Sequence, residues 1–326
     1  MRDTKIGTPR LSAVLVSDRY STIAAVVDAF AAQTAPSDIE IVLVLPAHAV
    51  SEVDRSKLEW FGAFQIVALP SVLPMPPARA AGVRAATAPI IFIGETHSFP
   101  HPGFIEAIIT AHEGPWDVVV PGLHNANPDM PGSWGSFMLD YGYWMSGLPA
   151  AEIASGPTWN ASYKREILLE LGSALDSALS SGDELPMTLR ARNRRFYFEP
   201  AAGVSHVNLE SRKWVDERYL SGFVVGANRA RRWSLPRRIA YFLGSPLIPV
   251  VLLYRTVPSM RHLYRSRTLP QGSALAIVTG TIIRTVGEAV GYLRGLSAPV
   301  EARMEEYELN KMQYVKRVAP LDQPHG

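Results

Sequence analysis

Residues 78–97 read ARAAGVRAATAPIIFIGETH and carry three signals in a row. Residues 78–88 are alanine-rich and read as a helix. Residues 90–93, IIFI, are a short apolar run rich in β-branched side chains, the pattern of a buried strand. At the end of that strand stand Glu95 and His97, and their i, i+2 spacing points both side chains to one side.

Working outward, residues 11–16 (LSAVLV) and 41–45 (IVLVL) repeat the buried-strand pattern, and 65–69 (QIVAL) and 117–120 (DVVV) repeat it more weakly. Residues 21–33 form an amphipathic helix that Ser21 or Thr22 can cap, and 103–112 form another helix. This alternation predicts an α/β fold with a Rossmann-like, mostly parallel sheet flanked by helices, and ligands at the carboxyl ends of the strands. From 121 to 160 Gly, Pro, Trp, Tyr and Asn dominate, so a loop-rich segment lining a site is expected. Residues 162–172 read as a helix ending at Gly172, and 195–199 as a strand running into Pro200.

The 326 residues are 47% hydrophobic and 19% charged, enough for one good-sized core plus an appendage. The absence of cysteine excludes disulfides and thiolate metal sites. A net charge of +2 conceals a block at 212–267 with twelve Lys/Arg against Asp216 and Glu217. Such a block beside apolar runs points to anionic lipid, and no nucleic-acid module accompanies it. Residues 239–254 are short for a membrane span and contain Pro246 and Pro249, while 273–293 are long enough but carry Arg284 and Glu288. Helices lying on or re-entering the membrane surface are therefore expected, rather than two clean spans. The expected division is 1–210, an α/β domain; 211–300, a basic and apolar helical region; and 301–326, a polar, frayed tail. The opening MRDTKIGTPR has no apolar run before Leu11, so no signal peptide is expected and the first half is expected to stay in the cytosol.

The order of these segments over about residues 10–208 resembles the family 2 glycosyltransferases, enzymes of GT-A fold that transfer sugars from nucleotide donors with inversion. Residues 11–33 and 40–45 resemble the family's opening strand–helix–strand, with Gln33 closing the helix. ARAAGVRAATAPIIFIGETH resembles the segment that ends in Asp-x-Asp, with Arg79 and Gly82 in register, SGDELPMTLR resembles the acidic catalytic motif, and PAAGVSH (Pro200 to His206) resembles the segment after it. The resemblance puts Glu95 and His97 on the two acidic positions, implying a divalent metal, Mn2+ or Mg2+, held against the donor diphosphate. The other reading is a strand-end loop with a solvated Glu and a hydrogen-bonded His. Of Asp183 and Glu184 the resemblance makes Glu184 the general base and Asp183 the fallback; an exposed acidic pair favoured by a helix dipole is the alternative.

Donor contacts implied by the resemblance are Val16, Ser17, Asp18 and Gly94, with Arg79 on the diphosphate or in a structural salt bridge. Where the family carries a base-binding Asp, this chain has Leu45-Pro46-Ala47-His48, without a carboxylate. Trp159 could stack on a sugar face and Asn160 bond its hydroxyls, or both belong to a loop capping the next helix. Trp134, Tyr141, Tyr143 and Trp144 could wall an acceptor site or pack under the loop, and packing is expected for most of them. Arg229-Ala230-Arg231-Arg232-Trp233 resembles the Q-x-x-R-W of processive synthases with its Gln replaced, which puts Arg232 and Trp233 near an acceptor; a basic interfacial helix is the favoured reading. GEAVGYLRG, with Gly287 and Gly291 four apart, is a packing or oligomer contact, so a homo-oligomer is compatible with the sequence.

The resulting expectation is an inverting, metal-dependent glycosyltransferase at the cytoplasmic face of the cell membrane. Its partners would be a nucleotide-sugar donor, a lipid-linked or saccharide acceptor in envelope or exopolysaccharide assembly, and membrane lipids. The altered metal motif also admits a catalytically degenerate scaffold or regulatory protein of the same fold.

Overall fold

A computed structural model describes residues 8–180, 183–210, 212–231, 233–266 and 269–315. Its strands are β1 Leu11–Val16, β2 Ile39–Pro46, β3 Ala63–Leu69, β4 Ile90–Ile93, β5 Ser98–Pro100, β6 Val118–Asn125, β7 Ala151–Ile153, β8 Ala161–Lys164 and β9 Phe196–His206. Helices of eight or more residues are α1 Tyr20–Ala31, α2 Met75–Ala85, α3 Phe104–His112, α4 Pro131–Asp140, α5 Glu184–Ala191, α6 Arg212–Ala230, α7 Leu235–Gly244, α8 Ile248–Ser266, α9 Ser273–Arg294 and α10 Ala298–Asn310. By contacts the chain divides into Met1–Gly122 with Pro149–Val204, and Leu123–Leu148 with Ser205–Gly326. Both divisions fall inside strands, β6 and β9, each of which is one continuous element of the sheet.

The sheet has nine strands in the order β3-β2-β1-β4-β8-β6-β9-β5, with β7 pairing β9 off this path. The first four are parallel, with Leu11 opposite both Ile39 and Ile90 and Glu40 opposite Ala63. Their continuous apolar runs suit strands covered on both faces, and every residue of β1, β2 and β4 is buried. Helix α2 lies close on this half because Gly82 faces it: a Cβ there would sit 2.5 Å from Val14 Cγ1 and 2.8 Å from Val44 Cγ2. No hydroxyl caps α1; its N-cap is Arg19, and Thr22 donates its hydroxyl to Asp18 Oδ1 at 3.1 Å. Gln33, just past α1, donates to the His101 carbonyl at 2.9 Å, and its Oε1 accepts from the Ile105 N–H at 3.4 Å in the first turn of α3.

One buried carboxylate ties this half together. Glu40 accepts from the Thr87 N–H at 2.7 Å, Gln65 Nε2 at 2.7 Å and the Ser12 hydroxyl. Burial would push its pKa up, but the hydrogen bonds from Ser12, Thr87 and Gln65 outweigh burial and hold it below the ordinary range.

Past β4 the sheet turns antiparallel at β8. β8 runs against both β4 and β6, pairing Ile93 with Ala161 and Val118 with Tyr163. The expected helix over 162–172 is therefore wrong for 162–164: Ser162 and Tyr163 are buried in the sheet, and the helical turn begins only at Arg165. Pairing with two distant strands overrides local propensity there. β9 continues through Pro200 to His206, seven residues beyond the expected end.

In the unit formed by Leu123–Leu148 and Ser205–Gly326, α6 and α9 pack with their backbones in contact. A Cβ on Gly222 would lie 1.9 Å from the Arg284 carbonyl oxygen, on Gly226 2.2 Å from that of Glu288, on Gly287 2.0 Å from that of Tyr219, and on Gly291 2.3 Å from that of Phe223. Partner numbers rise together, so the helices run parallel. GEAVGYLRG is thus a packing contact within the chain. The segment expected to be loop-rich contains α4, which starts at Pro131 and brings Gly135 within reach of α9, a Cβ there meeting the Ala276 carbonyl at 2.9 Å. The tail is likewise no frayed segment through residue 315: in α10, Met304 and Tyr307 pack onto Leu209, Leu220 and Val224. Residues 316–326 lie outside the described residues.

Candidate functional site

β4 stops at Ile93, where Gly94 donates its N–H to the Val14 carbonyl at 3.1 Å. The Gly94 Cα faces Leu15, and a Cβ would come within 2.6 Å of its Cδ2. This close approach turns the chain out of the sheet and into Glu95-Thr96-His97. Glu95 is 5% and His97 0% exposed, so the alternative of a solvated Glu in an open loop does not hold. Glu95 Oε2 accepts from Asn160 Nδ2 at 2.5 Å and from the Ser98 hydroxyl at 3.1 Å, and lies 3.6 Å from His97 Nε2. Thr96 Oγ1 is 3.3 Å from His97 Nδ1.

Asn160, expected either on sugar hydroxyls or in a capping loop, has its amide on Glu95. It adopts a left-handed conformation, φ 52°, and its N–H donates to the Ile93 carbonyl at 2.8 Å. Asn tolerates that conformation better than other side-chain-bearing residues. Trp159 beside it carries the Arg79 guanidinium 4.0 Å over its ring. Arg79 is buried, with Nη1 3.5 Å from the Leu179 carbonyl and Nη2 3.8 Å from Met75 Sδ.

The Glu95 carboxylate and the His97 imidazole are buried together at the end of β4, and an oxygen and a nitrogen so paired suit a first-row divalent cation. His206, the last residue of β9, is buried as well.

The remaining expected residues fall as follows. Val16 and Ser17 are buried at the end of β1; Ser17 donates its N–H to Val44 and its hydroxyl to the Arg19 carbonyl, and Asp18 lies 3.6 Å from Arg19 Nε. Asp183 is exposed as the N-cap of α5 and Glu184, half-buried, is its first residue, where the helix dipole favours negative charge. Trp233 packs against Tyr241 at 4.3 Å and Tyr292 at 5.6 Å under the Arg237 guanidinium, while Arg232 lies outside the described residues. Trp134 and Tyr141 are buried, and Trp134 Nε1 donates to the Pro128 carbonyl at 2.8 Å, as packing residues do.

No family model and no curated protein matches the chain. Among solved structures it is similar to the mannosyltransferase PcManGT from Pyrobaculum calidifontis, described in complex with GDP-Man and Mn2+, at 16% identity over 88% of this chain and 88% of that one, TM-score 0.55. S. aureus TarS 1-349 aligns at 12% identity over 89% of this chain and 93% of that one, with a TM-score of 0.45, too low to build on. The first likeness shows the fold, a glycosyltransferase-type mixed α/β sheet with flanking helices.

Proposed function

We propose that the chain is a metal-dependent, inverting glycosyltransferase of family 2 type in which Glu-x-His replaces Asp-x-Asp. The observation that carries this reading is the buried Glu95–His97 pair at the carboxyl end of β4, where such a sheet holds ligands. The bound state of PcManGT, with GDP-Man and Mn2+, supports a nucleotide-sugar donor and Mn2+ as the cation. When bound, the cation neutralises charge on the departing diphosphate. Glu95 and His97 hold it; Val16, Ser17, Asp18 and Gly94 border the nucleotide, and Arg79 and Trp159 brace the loop that carries Asn160. Glu184 takes the proton as the acceptor hydroxyl oxygen bonds to the anomeric carbon and the bond from that carbon to the diphosphate oxygen breaks.

A membrane-bound acceptor is the reading for the C-terminal helices. Within Leu235–Ser266 the most apolar 18 residues have a mean hydropathy of 1.4, and only 11% of them are buried. Leu243 at 70%, Leu247 at 68% and Tyr254 at 78% exposure crowd one region that also holds Arg237, Arg238 and Arg255. A large apolar face with flanking arginines suits the surface of an anionic bilayer. The protein then acts at the cytoplasmic membrane face on a lipid-linked acceptor in envelope or exopolysaccharide assembly. It should co-sediment with vesicles containing anionic lipid, and Leu243→Glu with Leu247→Glu should abolish this; unchanged binding by the double variant would remove the assignment.

The deciding experiment is a thermal-shift screen of nucleotide sugars with and without Mn2+. At least one nucleotide should raise Tm in a Mn2+-dependent way, and His97→Ala should remove the Mn2+ dependence. Leu45-Pro46-Ala47-His48, with no carboxylate to hold a base, favours the second reading, a degenerate scaffold. Absence of any shift with every nucleotide and metal would decide for it.

A further inference from the structure

Residues 219–287 hold ten arginines and no acidic residue. Some of these arginines are engaged inside the chain. Arg229 Nη1 lies 2.7 Å from Glu288 Oε1, and Arg238 donates from Nε and Nη2 to the Ala230 carbonyl at 3.2 and 3.0 Å. Arg237 is placed differently. It is exposed, no carboxylate pairs with it among the described residues, and its guanidinium lies 4.4 Å over the Trp233 ring and 5.7 Å from that of Tyr241. The ring beneath is held in turn: Trp233 is 4.3 Å from Tyr241 and 5.6 Å from Tyr292, and the buried Tyr292 donates its hydroxyl to Glu288. Stacking occupies the flat face of a guanidinium and leaves its N–H edge open, fixed in the geometry that takes two oxygens of one phosphate.

The same helix fixes where that edge lies. Leu235, Ile239 and Leu243 are all exposed and follow at i, i+4 and i+8, so they share one side of α7. Arg237 and Tyr241 fall on the opposite side, at about 100° of rotation per residue. With the apolar stripe at the acyl boundary, Arg237 stands at head-group height and meets a lipid from its water side. A phosphodiester carries its alcohol substituent on that side, whereas a phosphate monoester presents three bare oxygens and up to about two negative charges there. We propose that Arg237, held on the Trp233–Tyr241 shelf, grips the phosphate-monoester head group of a membrane lipid and directs docking to membrane rich in such lipids. This rests on the membrane reading of the C-terminal helices above. The competing account is attraction of all the arginines to any anionic surface, with Arg237 merely packed on its ring. That attraction follows surface charge and treats lysine as it treats arginine.

The test uses the full-length protein and phosphatidylcholine vesicles that contain either phosphatidic acid or phosphatidylglycerol, adjusted to equal zeta potential. Co-sedimentation should show wild type binding the phosphatidic acid vesicles about tenfold more tightly, as expected of a charge-assisted bidentate contact. Arg237→Lys keeps the charge and loses the planar fork, so it should bind both vesicles alike, at the wild-type phosphatidylglycerol level. Trp233→Leu removes the shelf and should do the same. Equal binding of wild type to the two vesicles overturns the phosphate site and leaves the membrane reading standing. A preference that persists in Arg237→Lys overturns the role of Arg237. No binding of wild type to either vesicle overturns the membrane reading itself, and the proposal with it. The wild-type comparison needs no variant and Arg237 is exposed, so a misfolded Trp233→Leu protein leaves the test decisive.

Discussion

Arg218→Met is expected to destabilise the protein by about 3–5 kcal/mol, the cost of removing one partner from a buried ionic cluster. Arg218 is 2% exposed on its side chain and lies between two acids. Its Nη2 is 2.7 Å from Asp140 Oδ2, its Nη1 3.0 Å from Asp140 Oδ1, and its Nε 2.7 Å from Glu217 Oε2. Burial would depress the Arg218 pKa, but the charges of Asp140 and Glu217 overcome it and hold the guanidinium firmly protonated. Conversely, burial would raise the Asp140 pKa and Arg218 pulls it below its ordinary value. The sign of the pH dependence follows. A depressed carboxyl pKa contributes stability that is present above the unfolded value, about 3.9 for Asp, and lost as pH falls through the folded one. The deficit of the Met variant should therefore be full at neutral pH and shrink in acid, where the Asp140 carboxylate can protonate. Urea melts of both proteins at several pH values check this. A deficit under about 1 kcal/mol at pH 7, the worth of an exposed pair, would mean the cluster is solvated and contributes little.

Glu184→Gln is expected to lower turnover by about 10²–10⁴-fold, the usual contribution of a positioned general base, while leaving donor affinity unchanged. The amide has nearly the shape of the carboxylate but cannot take the acceptor proton. Single-turnover transfer alongside a donor titration separates the two effects. Parallel loss of donor binding would move Glu184 from proton acceptor to donor ligand. Full activity in Glu184→Gln with a dead Asp183→Asn would pass the role to its neighbour, the exposed N-cap of α5.

The parallel half of the sheet was legible because LSAVLV, IVLVL and IIFI are buried on both faces, so their periodicity is unambiguous. Glu95 and His97 were singled out by the resemblance of their segment to the family's Asp-x-Asp, since a strand-end Glu and His alone carry little signal. What stayed hidden depends on partners far away in the chain. Residues 162–164 look helical until β4 and β6 claim them from either side. The helix at 131–140 carries two glycines that discourage a helical reading, and close packing at Gly135 supplies what propensity withholds. Asn160 was placed near the site, but its bond to Glu95 requires a left-handed backbone that the sequence Trp-Asn-Ala does not announce.

The glycine seam between α6 and α9 bears on how variants of this protein should be read. Small residues four apart in an apolar helix are commonly taken as a mark of self-association. Here Gly287 and Gly291 already face Tyr219 and Phe223 of the same chain, at distances that admit no added carbon. A larger residue at either position would therefore show itself in low yield or thermal fragility, not as a change in the number of subunits. The outward stripe Leu275, Val278, Ile282 and Val286 lies on the opposite side of that helix. Substitutions there should leave melting behaviour nearly intact and alter instead where the molecule is found after cell fractionation. The two sides of one helix would thus give two separable phenotypes, one of folding and one of address.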